Sequence, residues 1–289
     1  MTEEVDGYKS LLFIGLPGSG KSTFLGALAG CVEHADYEGS YSFGGYPEER
    51  ALLEQLIDDW LQCNTVQRTK GQEPFANTLH LANKESGNTI VLDLPDLSGE
   101  IFDRQCERRN CSAEYVSMVE STNQVLLFCH AGKNYRNEPI PKIVGITDEE
   151  VDEEVKELEV KWNPNHLSLG GKLVDILQML LEIRGEVPGK LKIAVVISAW
   201  DLVMGLQPVI KLTPSEFLDK NVSLLSQFLA SQSAKIDYEI FGVSAQGGDY
   251  ENGGAKNELL KMSPLGRISV ANGEAISKDI ALPVKWLIG

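Results

Sequence analysis

The chain has 289 residues, 43% of them hydrophobic and 24% charged, which excludes a disordered or fibrous polypeptide and supplies apolar material for a large core. With 42 acidic against 26 basic residues the net charge is −16, a field that repels nucleic-acid backbone and anionic lipid, so neither nucleic acid nor membrane is an expected partner. The acidic first residues are unlike a secretory leader, no apolar run approaches the roughly 20 residues that span a bilayer, and the five cysteines lack zinc spacing and read as reduced thiols, so a cytoplasmic location is expected.

In chain order, β-rich apolar runs alternate with amphipathic helical stretches. This predicts an α/β fold: a mixed, mostly parallel sheet of about six strands with helices on both faces. The first strand, residues 10–15, runs into Gly15-Leu16-Pro17-Gly18-Ser19-Gly20-Lys21-Ser22-Thr23 and then a helical stretch from residue 24. That is G-x-x-x-x-G-K-[ST] in its required strand, loop and helix context, the P-loop of nucleoside triphosphatases. Its glycines let backbone N–H groups turn inward around a β-phosphate, and the following helix adds its positive end. Gly15, Pro17, Gly18, Ser19, Gly20, Lys21, Ser22 and Thr23 are therefore nucleotide-binding candidates. Lys21 is expected to bridge the β- and γ-phosphates as a catalytic group, and the Ser22 hydroxyl to ligate Mg²⁺.

Residues 47–62 predict a surface helix burying Leu53, Leu56, Ile57, Trp60 and Leu61 on one stripe. Strands are expected at 78–82 and 89–94. Only Asn83-Lys84-Glu85-Ser86-Gly87-Asn88 separates them, too little for a helical crossover, so they should pair as an antiparallel hairpin. The second ends in Asp93-Leu94-Pro95-Asp96-Leu97-Ser98-Gly99-Glu100, whose D-x-x-G resembles the switch II segment of GTPases. The resemblance implies that Asp96 contacts Mg²⁺ through water and that the Gly99 N–H senses the γ-phosphate, with Asp93 as the alternative acidic residue. Glu100 stands where small GTPases carry the glutamine that orients the attacking water, and reads either as a weak catalytic base or as a solvated carboxylate. The same resemblance asks for a switch I threonine on the metal before the second strand. Thr65, Thr69 and Thr78 are available, and Thr69 is preferred because it precedes the strand in a polar stretch. Arg104, Arg108 and Arg109 follow switch II and are read as a solvated helix face rather than an arginine finger.

A further strand is expected at 124–130. The segment 132–189 is longer than a crossover requires, which predicts an insertion carrying an acidic helix over 148–159, a docking surface for a protein partner, before a helix at 172–183. The strand 191–199 runs into Ser198-Ala199-Trp200-Asp201, at the place where GTPases carry N/T-K-x-D. A carboxylate at Asp201 accepts the N1–H and N2 amino protons of guanine, a donor pair that adenine lacks. Ser198 and Ala199 weaken a polar tether and remove an aliphatic cover, while Trp200 either stacks on the base or belongs to the core. Thr213-Pro214-Ser215-Glu216 is a capping box with proline at the first helical position, opening one helix over 214–233. The strand 238–244 leads into Ser244-Ala245-Gln246, which resembles the S-A-K loop of GTPases, where the alanine N–H meets guanine O6. His34, His80, His130 and His166 form no ligand pair and read as structural or surface.

On these residues the chain resembles the translation-factor-related class of P-loop GTPases and, within it, the bacterial double-GTPase families of conflict and antiviral gene clusters. The resemblance implies a GTP/GDP switch with Mg²⁺, slow intrinsic turnover and co-encoded protein partners reached through the switch regions or the insertion. No linker divides the sequence, so one elaborated domain over 1–289 is expected. Two other readings remain: a P-loop ATPase or small-molecule kinase, and a GTP-binding module without useful hydrolysis.

Overall fold

The structure is a computed structural model. It describes residues 5–45, 51–66, 75–96, 99–135, 167–185, 187–205 and 211–289, with backbone alone at 5–9, 75–78, 93–96, 99–100 and 103. Thr69 and the acidic stretch 148–159 lie outside the described residues.

The described strands form the expected mixed, mostly parallel sheet of six strands and, beside it, a second sheet of four. The larger has β2 (Leu12–Gly15), β6 (Gln124–His130), β7 (Leu191–Ser198), β8 (Ile236–Ser244), β9 (Ser269–Asn272) and β10 (Ala275–Ser277), in the order β10-β9-β8-β7-β6-β2. Neighbours from β2 to β8 are parallel, and β9 and β10 close the edge antiparallel. The smaller sheet, in the order β1-β5-β4-β3, holds β1 (Val5–Ser10), β3 (Tyr41–Gly45), β4 (Phe75–Asn83) and β5 (Thr89–Asp96). The expected hairpin is β4 with β5, in the register Ala82↔Thr89 and Thr78↔Asp93, but it belongs to this second sheet. The strand expected at 10–15 is interrupted at Leu11. Its Leu12–Gly15 part is β2, which pairs with β6, while Ser10 ends a preceding strand, β1, which pairs parallel with β5. One chain segment thus feeds both sheets just before the P-loop.

The strands of the larger sheet are apolar on both faces because both are covered. Phe13, Leu126, Phe128, Ala194 and Val196 face one core, shared with helix α1 (Lys21–Glu33), helix α2 (Ala51–Leu61) and the C-terminal helix (Leu282–Ile288). Leu12, Ile14, Leu127, Cys129, Val195 and Ile197 face the other. There they meet α3 (Gly99–Arg108), α4 (Ala113–Ser121) and α5 (Leu169–Arg184). The period-2 alternation of these side chains assigns successive residues to opposite cores. Phe13, Phe24 and Phe128 lock α1 onto the sheet, with ring centroids 5.4–6.3 Å apart. In α2 the expected stripe is buried except for Leu61, which is 37% exposed at the helix end.

The helix expected over 214–233 is two, α7 (Pro214–Asn221) and α8 (Ser223–Ser231), after a single turn α6 (Asp201–Met204). Val222 leaves helical geometry at φ −125°, ψ 41°, yet stays 1% exposed, so the break keeps the apolar stripe facing inward. The capping box forms as expected: Glu216 N–H donates to Thr213 Oγ1 at 3.3 Å, and Thr213 N–H donates to Glu216 Oε2 at 2.8 Å. All five cysteines are free, and no helix among the described residues is long and apolar enough to cross a membrane.

Candidate nucleotide site

Parallel pairing from β2 to β8 brings the carboxyl ends of four strands to one edge, where open α/β sheets hold their ligands. Gly15 lies beside Phe128, His130 beside Ser198, and Ser198 beside Val243. Register therefore assembles the P-loop, the turn after β6, the Ser198–Asp201 corner and the Ser244–Gln246 loop.

The P-loop has the conformation that its glycines predict. Gly18 and Gly20 lie at φ +65° and +92°, and Ser19 N–H donates to the Leu16 carbonyl at 3.1 Å. The N-cap residue Gly20 offers no side chain to cap α1, a helix end of the kind that receives anions. Lys21 Nζ donates to the Gly15 carbonyl at 2.5 Å and sits 5.9 Å from the centroid of the Phe102 ring in α3. That contact sets the segment after Gly99 and Glu100 beside the P-loop lysine. Ser22 and Thr23 follow in the first turn of α1, both half-buried. Asp96 ends β5 and Gly99 opens α3; the side chains of Asp96 and Glu100 lie outside the described atoms.

Ser198 makes the tether whose strength its small size put in doubt. Its hydroxyl, in a residue only 8% exposed, donates to the Ser19 carbonyl at 2.7 Å, and a Cβ on Gly20 would lie 2.7 Å from that oxygen. Ala199, at φ +53°, turns the chain sharply, and Trp200 N–H donates to the Val243 carbonyl at 3.2 Å. The turn carries Asp201 to the cleft wall. There its carboxylate accepts from the Ser244 hydroxyl at 2.8 Å, and that hydroxyl accepts from Gly247 N–H at 3.1 Å. Ser244 is 1% exposed, so it orients Asp201 rather than offering itself to a ligand. Ala245 lines the cleft, and its carbonyl is held by Trp60 Nε1 at 2.7 Å. Trp200 is the core alternative. It is 2% exposed, edge-on to Phe217 at 5.7 Å, and lies 2.3 Å from where a Cβ of Gly242 would stand, leaving no ring face for a base.

The cleft between these elements has a volume of about 350 Å³, within the range of small-molecule sites. Gly18 and Gly20 of the P-loop and Thr23 of α1 form one side, and Ser198, Ala199, Asp201 and Ala245 the other. Thr65, Val66, His130, Gln246 and Glu251 complete the wall. Of the switch I candidates, Thr65 reaches this cleft and Thr78 lies in β4 opposite Asp93. His130, read from sequence as structural or surface, is a wall residue. Its Nδ1 accepts from Gly132 N–H at 3.0 Å, and burial, reinforced by the Lys133 ammonium, holds its pKa below the usual histidine value, with Asp201 opposing. Lys133 was missed altogether: its ammonium donates to the Pro17 carbonyl. The only sequence signal was a lysine three residues past a buried strand. Arg104 and Arg108 are exposed, as a solvated face requires, and Arg109 is ion-paired with Asp175 of α5.

No described trio of His, Cys, Asp or Glu could enclose a metal by itself. A Ser22 hydroxyl and a carboxylate at the end of β5 are hard oxygen donors of the kind Mg²⁺ shares with nucleotide phosphates, so the residues fit that ion.

A protein-family model described as Double-GTPase 1 matches residues 12–287. No curated protein matches the sequence. Among solved structures, the chain is similar to the Saccharomyces cerevisiae Ski7 GTPase-like domain bound to GTP, with a TM-score of 0.40 and 16% identity, covering 83% of this chain and 43% of that one. The chain thus spans under half the length of that structure, and the family assignment rests on the sequence match. Extending over nearly every residue, from β2 to the C-terminal helix, that match means that the chain belongs to the Double-GTPase 1 family of P-loop GTPases, for which guanine nucleotide is the implied ligand.

Proposed function

We propose that the protein is a Mg²⁺-dependent molecular switch that binds and slowly hydrolyses GTP. The observation carrying this reading is that the P-loop and Asp201 line one cleft, so a phosphate cradle and a guanine-selective carboxylate face the same ligand. The nucleotide's phosphates lie against the N-terminal end of α1 and Lys21, and its base lies at Asp201, held in orientation by Ser244. Ser22 would ligate Mg²⁺ and Asp96 would reach it through water, and the bound ion would withdraw charge from the β- and γ-phosphate oxygens. Lys21 gives up the Gly15 carbonyl for an anionic oxygen, a stronger, charge-assisted bond. Gly99 and Glu100 open α3, and as the resemblance implies the Gly99 N–H senses the γ-phosphate while Glu100 orients or deprotonates water or remains solvated.

Phe102 couples the start of α3 to Lys21, which supports a switch in which γ-phosphate loss is felt by that helix. As the family resemblance implies, the readout is a co-encoded protein partner in a bacterial antiviral or conflict system, docked on the switch segments or on residues 132–189. The net charge of −16 argues against nucleic acid or an anionic membrane as that partner and fits a cytoplasmic protein.

Calorimetric titration of GTP, GDP, ATP and ADP with Mg²⁺ tests the reading. Guanine nucleotides are expected to bind at least tenfold more tightly than adenine nucleotides; equal or stronger ATP binding would move the protein to the ATPase or kinase class. GTP binding with no single-turnover hydrolysis would leave a binding module.

A further inference from the structure

Two lysines, not one, reach the P-loop. Lys21 comes from α1 and bonds the Gly15 carbonyl; Lys133 comes from the turn after β6 and bonds the Pro17 carbonyl, its Nζ only 3.4 Å from where a Cβ of Gly18 would stand. The turn that presents Lys133 is firmly built. Ala131 N–H donates to the Ser198 carbonyl at 2.9 Å, Lys133 N–H to the His130 carbonyl at 3.1 Å, and His130 N–H to the buried Tyr135 hydroxyl at 2.5 Å. The same β7 residue that tethers Ser19 therefore also anchors the turn carrying Lys133.

Resting on the nucleotide-site reading above, we propose that Lys133 is a second phosphate-binding cation, supplied in cis to the terminal phosphates of the bound nucleoside triphosphate. A carbonyl in the phosphate cradle is a neutral acceptor, and a phosphate oxygen arriving there is an anionic one that both lysines would rather bond. In a chain of net charge −16, two ammonium groups converging on one loop form a local positive site against the overall field. During hydrolysis, water oxygen bonds to the γ-phosphorus while the bond from that phosphorus to the β–γ bridging oxygen breaks. The electron pair stays on the β-phosphate of GDP, and the water's proton leaves with inorganic phosphate. Lys133 donates a hydrogen bond to the oxygen that gains charge and keeps its own proton. This is the role that an arginine finger fills elsewhere, and Arg109, one of the sequence candidates for it, is committed to Asp175.

The test compares Lys133→Met, which keeps the aliphatic stem, and Lys133→Arg with the native chain. GTP and GDP dissociation constants, single-turnover rate and Tm are measured with Mg²⁺. Lys133→Met is expected to weaken GTP more than GDP, by about tenfold, and to slow single turnover about ten- to a hundredfold at unchanged Tm, with Lys133→Arg retaining most of both. Native affinity and rate in Lys133→Met would overturn the proposal. So would equal weakening of GTP and GDP together with a lower Tm, which marks Lys133 as a brace for the Pro17 carbonyl. If the native chain bound neither guanine nucleotide, the underlying reading would fail and this inference with it, an outcome distinct from both.

Discussion

At position 198 a short hydroxyl does the tethering that a longer amide does in the motif it resembles, because β7 runs close enough to the P-loop for 2.7 Å contact with the Ser19 carbonyl. Ser198→Ala removes a buried hydrogen bond at a cost of about 1 kcal/mol and leaves the Ser19 carbonyl without that donor. Urea unfolding should show that loss, and GDP affinity should fall severalfold as the loop loosens. Asp201 is a separate matter, since the role proposed for it is selectivity. Asp201→Asn presents a donor amide where guanine also donates, so GTP affinity should drop and xanthine nucleotides should gain, by competition titration. His130 gives a pH signature. Burial depresses its folded-state pKa, so the unfolded chain takes up the proton first; the folded state is favoured above the ordinary histidine range and loses that contribution as pH falls through and below it. His130→Gln should flatten the acid side of a stability profile between about pH 7 and 5. Asp201, the P-loop residues and Ser198 were legible as sequence because each sits at a fixed offset from a strand end. Trp200 was ambiguous: only the packing of Phe217 and Gly242 around its ring assigns it to the core.

Elements obey the same division between local and distant causes. The Thr213–Glu216 box is readable because a cap is satisfied within one turn of chain, and Thr213→Ala should cost about 1 kcal/mol, seen as a lower Tm with nucleotide affinity unchanged. The break at Val222 was not readable. Phe217, Leu218, Val222, Leu225 and Leu229 have the spacing of one continuous helix, and all are buried in the two-helix arrangement as well. A stripe reports which face is apolar and cannot report a bend that preserves the face. The hairpin of β4 and β5 followed from the short connection between them, whereas β3, β9 and β10 are short strands whose existence depends on an available edge. Leu61 shows the limit of a periodic reading at a helix end, where the last position turns outward although the stripe includes it.

Across the molecule, one segment serves both sheets, and a buried arginine fastens the far side. Arg267, 3% exposed, donates to the carbonyls of Trp60 and Leu61 at 3.0 and 3.1 Å, and its guanidinium lies 5.4 Å from the Trp60 ring. Trp60 in turn holds the Ala245 carbonyl at the cleft, so Arg267 supports the Ala245 wall of the cleft from behind. Arg267→Ala should lower Tm by several degrees and weaken guanine nucleotide binding without altering the ratio of GTP to ATP affinity, since no selectivity group is touched. At this scale also belongs the partner. If the proposed protein partner docks on the insertion, deleting 148–159 should abolish its capture while GTP affinity is retained; capture surviving the deletion would direct the search to the switch segments.

By itself the sequence determined the chemistry of the site's ends. A glycine-rich loop between strand and helix must present amides to an anion, and a carboxylate after a buried strand can select guanine, for reasons that operate within a few residues. It also determined the α/β class, because both-face burial demands continuous apolar strands. The tertiary structure alone decided which groups share the cleft. Parallel register brings His130 and Lys133 to a loop more than a hundred residues earlier in the chain, and Ser198 to the carbonyl of Ser19. Such distances depend on how strands stack and helices cover them, and no local pattern carries that information.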